Sequence, residues 1–168
     1  MNNKLLVFTL FALTISSKLS AVSLDAHIHG KVNLDIASDK DELLIMLKTP
    51  SESILGFEYM AKSEAEKKLI KLVKEDWNNN LFKFFNLEKA EYCKVTSSKW
   101  EQIFSGKNHS HILAESYIKC KGQLKEKSLT IALKKYCKNI VEINIQLIRA
   151  DGSVLNKKHT KEIFNIKL

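Results

Sequence analysis

The stretch "KVNLDIASDKDELLIMLKTP", residues 31–50, decides how the rest of the chain is read. Val32, Leu34 and Ile36 alternate with polar neighbours, and Leu43 to Leu47 resume the apolar run after the polar cluster Ser38 to Asp41. Successive side chains on a strand point to opposite faces, so this pattern predicts two strands joined by a tight hairpin and buried on one side. A sheet that buries one face needs something to cover it.

The cover comes next. After a loop at "SESILGFEYMAK", Ser63 and Glu66 stand at capping-box spacing ahead of Ala65, Leu69, Leu72, Val73 and Trp77, which share one helical face. This predicts a helix from Glu64 to about Asn78. "NNNLFKFFNLEKA" is then an aromatic-rich connection closing one end of the core. "EYCKVTSSKW" and "HILAESYIKC" are strands around a short loop at Gly106, and "SLTIALKKYC" alternates Leu129, Ile131 and Leu133, which favours a strand over the alternative of a helix of that length. "VEINIQLIRADGSVL" is a hairpin turning at Asp151-Gly152. There is no repeat, linker or low-complexity tract. The expected fold is one α+β domain, a mostly antiparallel sheet packed against one main amphipathic helix.

Upstream, "MNNKLLVFTLFALTISSKLSAVS" has an early charge at Lys4, an apolar run from Leu5 to Ile15 and small residues at Ala21 and Ser23. That is the layout of a secretory signal, and the apolar run is well short of the roughly 20 residues a spanning helix needs. Residues 1–23 are therefore expected to be removed, leaving a single domain over 24–168, exported and without a stable membrane anchor. The formal charge of +8 is spread along the chain as lysine, with Arg149 the lone arginine. A dispersed lysine surface on an exported protein points to solvation rather than nucleic acid.

Cys93, Cys120 and Cys137 remain in the mature chain. An oxidising destination favours one disulfide with one cysteine left over, and the absence of a C-x-x-C pair argues against a thioredoxin-like or zinc-knuckle arrangement.

Four of the five histidines fall in two His-x-His pairs, His27 with His29 in "DAHIHG" and His109 with His111 in "NHSHIL". On a strand, residues two apart face the same side, so each pair aims two imidazoles in one direction. Two such pairs match the four ligands of a tetrahedral zinc site, although imidazole also suits other divalent metals such as copper and nickel. Asp25, Glu58 and Glu115 are acidic candidates to ligate or to orient the rings, since a ligating histidine usually donates its other N–H to an acceptor. His159, alone in "NKKHTKE", is expected on the surface.

Taken together, "AHIHG", "LDIASDKDELLIMLKTPSESILGFE", "SEAE", the cysteine of "EYCKV", "AESYIKC" and "INIQLIRADGSVL" resemble the ZrgA family of bacterial periplasmic zinc-binding proteins. The likeness runs through essentially the whole mature chain. It implies a periplasmic, zinc-associated accessory to zinc acquisition with no established catalytic activity, for which a component of a zinc uptake transporter is the candidate partner. The family's opening histidines fall on His27 and His29 and its cysteine pair on Cys93 and Cys120, while Cys137 stands where relatives tend to carry an apolar aromatic residue. The chain also departs from the pattern. Tyr59 follows "GFE" where relatives usually have histidine, and the His/Asp/Glu-rich loop between the paired cysteines is reduced to "EQIFSGKN". Leu113 replaces a histidine before "AE", and His111 stands where an acidic residue is common. These departures imply one compact site rather than high-capacity buffering. The competing classes are a metal-free envelope interaction domain and a zinc-dependent hydrolase; the latter would need an open water position and a general base, and no HExxH-type spacing is present.

Overall fold

In the computed structural model, residues 28–168 are described. The export-signal reading, together with Asp25 and His27, lies outside the described residues.

The hairpin forms as the alternation dictates. Strands β1 (Lys31–Asp39) and β2 (Glu42–Pro50) pair antiparallel through a two-residue turn at which Lys40 takes φ 45°. Val32, Leu34, Ile36, Leu43, Ile45 and Leu47 point inward and are almost wholly buried. After β2 come a single helical turn, α1 (Glu52–Leu55), and the main helix α2 (Glu64–Asn79). A short strand β3 (Phe85–Leu87) is followed by the long hairpin β4 (Cys93–Ser105) and β5 (His109–Cys120). The chain finishes with β6 (Ser128–Ile131), the helical turn α3 (Leu133–Tyr136), β7 (Glu142–Ile148), β8 (Val154–His159) and β9 (Phe164–Lys167).

Six strands form one sheet in the order β4-β5-β2-β1-β7-β8, in which only β1 and β7 run parallel. The other three form a small antiparallel sheet, β3-β6-β9. Inward residues of both sheets belong to a single buried cluster, so the α+β, single-core expectation holds.

Three local expectations change. The aromatic-rich segment supplies a strand of the second sheet as well as a 3₁₀ turn, with Phe84 and Phe85 buried. The strand expected through Leu133 ends at Ile131, and Leu133 opens α3 instead. The helix keeps its predicted start, with Ser63 Oγ accepting from the Glu66 N–H and the Glu66 carboxylate accepting from the Ser63 N–H. Its predicted apolar stripe is only partly used. Trp77 is buried edge-on against Phe85, with ring centroids 5.7 Å apart, and Val73 is half-buried, whereas Ala65, Leu69 and Leu72 are exposed. The helix therefore docks through its C-terminal half.

The disulfide links Cys93 and Cys120, which face one another across β4 and β5. Cys137 is free and partly buried.

Candidate functional site

The site grows from the end of the hairpin. Beyond Pro50 the chain must leave the sheet, and buried serines satisfy its polar backbone. The Ser51 N–H donates to the Ser110 carbonyl at 2.9 Å, and Ser110 Oγ lies 2.8 Å from Ser51 Oγ. Ser110 Oγ also donates to the Glu58 carbonyl and accepts from Gln102 Nε2 at 2.9 Å. Ser51, Ser53 and Ser110 are fully buried, so each of these bonds offsets a desolvation penalty that an unpaired hydroxyl or amide would carry. Gly56, at φ 84°, ends α1 and sends Phe57 and Glu58 back inward.

The entry to β1 is pinned against the same turn. The Gly30 N–H donates to Ser53 Oγ at 3.1 Å, and the Gly30 carbonyl accepts from the Val141 and Glu142 amides. Gly30 sits at φ 77°, and a Cβ there would lie 2.7 Å from Val141 Cγ2 and 2.9 Å from the Asn139 carbonyl. Only glycine lets the chain pass this closely with that backbone conformation. His29, immediately before it, is thereby held over α1.

Two histidines 80 positions apart in the chain, 109 − 29, thus reach one buried carboxylate. Glu58 is only 7% exposed. Its Oε2 is 2.9 Å from Nδ1 of His109, a hydrogen bond, and its Oε1 is 3.7 Å from Nδ1 of His29. Glu52 Oε2 is 3.4 Å from the same His29 nitrogen. Glu58 Oε1 and Glu52 Oε2 are both shut off from solvent with no hydrogen-bond partner among the described residues. Two desolvated carboxylate oxygens facing imidazole nitrogens form an electronegative recess suited to a cation. His111 shares the face of β5 that carries His109, about 7 Å further along the strand, opposite Pro50 of β2 and Ile103 of β4.

The predicted site residues divide accordingly. His29, His109 and Glu58 are brought together, and His111 stands beside them. Glu115 is not part of the group. It lies about 13 Å beyond His111 on β5, in register with Met46 and Lys99, and its hydrogen bond and negative charge push the Tyr117 phenol up. His159 is not a plain surface residue: it is half-buried, its ring stacked on Phe164 at 3.8 Å, and burial beside Lys157 and Lys161 lowers its pKa. Tyr59 donates to Glu66 Oε1 at 2.7 Å and ties this loop to α2. Leu113 is exposed on the sheet face, opposite Lys48 and Glu101.

Sequence reading missed Glu52. "SES" looks like plain loop, and only the single turn of α1 lifts this acid to His29; the one available signal was a Ser-Glu start of the kind that opens helices. Among the described residues, no group of three or more His, Cys, Asp and Glu side chains has the geometry to hold a metal ion. Both described imidazoles that meet Glu58 present it with Nδ1, the nitrogen that a zinc-bound histidine commonly gives to a carboxylate while Nε2 ligates.

No curated protein matches the chain. The family model described as "ZrgA family zinc uptake protein" matches residues 26–164, nearly the whole of what the structure describes together with His27. With the match running from the first His-x-His pair through the final hairpin, the chain belongs to the ZrgA family of zinc uptake proteins.

Proposed function

We propose that this chain is exported to the periplasm, where it binds zinc through His27, His29, His109 and His111 and passes the ion to a component of a zinc uptake transporter. The single observation that carries the reading is the Glu58 carboxylate, hydrogen-bonded to His109 and facing His29, which unites the two His-x-His regions at one recess. Family membership supports zinc as the cargo and zinc acquisition as the role. The donor set fits the ion. Imidazoles in pairs suit zinc, and the two carboxylate oxygens left without a hydrogen bond among the described residues would be offset by a divalent charge. The reading is non-enzymatic: a zinc hydrolase needs an open water position and a general base, and the sequence carries no HExxH-type spacing.

The test is calorimetric titration of metal-free protein. His27→Ala/His29→Ala and His109→Ala/His111→Ala should each weaken zinc binding by at least about tenfold relative to the wild type. Binding should also fade as pH drops through the range in which free imidazole takes up a proton, about 6.5. Wild-type affinity in both double variants, or no binding by the wild type, overturns the reading. Elemental analysis of untagged protein from the periplasmic fraction identifies the metal carried there, and an intact mass beginning at Leu24 establishes export and processing.

A further inference from the structure

We infer that Glu58 is the positioning residue of this site, one carboxylate serving both His-x-His regions by taking Nδ1–H of His109 on Oε2 and Nδ1–H of His29 on Oε1, so that both rings offer Nε2 to the metal. The inference rests on the zinc-binding reading above and names the atoms through which it works. A neutral imidazole has one N–H and one lone pair, and the acceptor that captures the N–H decides which nitrogen is left to ligate. His109 Nδ1 is already at 2.9 Å from Oε2. Oε1 is buried, without a hydrogen-bond partner among the described residues, and 3.7 Å from His29 Nδ1, within ion-pair reach of that ring.

Glu58 is also well placed to be rigid. Its carbonyl holds the Ser110 hydroxyl, and Ser110 directly follows His109 on β5, so the residue that orients the ring is fixed to the strand that carries it. Glu52 is a lesser partner. At 3.4 Å its Oε2 is nearer to His29 Nδ1 than Glu58 is, but its side chain is 31% exposed and it reaches His29 alone, whereas Glu58 spans both regions. One carboxylate shared in this way couples the two pairs: ordering either ring around zinc pre-orders the acceptor for the other.

Glu58→Gln tests this with little change of volume, because an amide has one acceptor oxygen and one donor NH₂ and can serve only one of the two rings. Ser110 is held by the backbone of residue 58, so that link survives the substitution. In metal-free protein at pH 8, long-range ¹H–¹⁵N correlation of ¹⁵N-labelled histidine should show Nδ1–H at both His29 and His109 in the wild type, and at only one of them in Glu58→Gln. Zinc affinity measured with zinc chloride should fall about 10- to 100-fold in Glu58→Gln. If circular dichroism shows that variant unfolded, Glu58→Asp, which keeps the charge and shortens the reach, takes its place with the same expected loss of affinity. An Nε2–H tautomer at either wild-type ring, or wild-type zinc affinity in the folded variant, overturns the inference. Failure of the zinc reading is separate: it appears as a wild-type protein that does not bind zinc, whatever its ring tautomers.

Discussion

Replacing both disulfide cysteines, Cys93→Ala/Cys120→Ala, should destabilise the protein strongly without touching the site. The bond closes a loop of 27 residues' separation. On the chain-entropy model a loop of that size restricts the unfolded state by about 3.5 kcal/mol. Unfolding entropy of about 2.1 cal/mol/K per residue gives a domain of this length about 0.3 kcal/mol/K, so the loss corresponds to a fall in Tm of about 12 °C. Cys120 is buried, and truncating it adds a packing loss that pushes the change in the same direction. The site should be spared. His109 and Cys120 are the two ends of β5, roughly 35 Å apart along the strand, and the register between β4 and β5 is held by ladder hydrogen bonds over its whole length. Thermal melting followed by circular dichroism measures the first effect, and zinc titration at 20 °C the second. A fall in Tm of less than about 3 °C would show that the unfolded chain is not constrained as reasoned, and a loss of zinc affinity in the folded variant would refute the claimed separation of bond and site.

Gly30→Ala should cost about 2–4 kcal/mol, from the positive φ and the 2.7 Å approach to Val141, and should weaken zinc binding by displacing His29; urea unfolding within 0.5 kcal/mol of wild type would refute it. Burial pushes the Cys137 thiol up to about 11, so at pH 8 iodoacetamide should label it far more slowly in the folded protein than in urea, as mass spectrometry will show; equal rates would contradict the burial argument. The Glu66 carboxyl is lowered to about 2, chiefly by the Ser63 N–H, with the Tyr59 hydroxyl and Lys62 N–H adding to it. Because the folded value is depressed, its stabilisation is complete above the ordinary carboxylate range near 4.5 and is lost as pH falls towards 2. The stability gap between wild type and Glu66→Gln in urea should therefore be largest at neutral pH and close on acidification; a gap independent of pH would count against the capping box.

Residues in direct sequence relation were legible because their physics is local. The alternation in β1 and β2, the Ser63/Glu66 capping box and the Asp151-Gly152 turn each follow from the side-chain period of a strand or the orphan amides of a helix start, and each appears where the residues place it. The pairing of Cys93 with Cys120 was legible by a different route, through likeness to a family rather than through local chemistry. What required tertiary structure was every choice among distant partners. The second sheet joins three short strands far apart in the chain, and β9 alternates over only four residues, Phe164–Lys167, too short a run to announce itself. The stripe of α2 showed which residues were apolar but not that docking against β4 would bury Trp77 and leave Leu69 and Leu72 in water. At the site, composition supplied paired imidazoles and loose acids alike, with nothing in their spacing to tell Glu58 from Glu115. Both are single carboxylates near an apolar run. The difference comes from the crossing of three segments, where Gly30 admits the close passage at the start of β1, the buried serines fold residues 51–58 back over the sheet end, and β5 brings His109 to meet Glu58 while carrying Glu115 away along the strand.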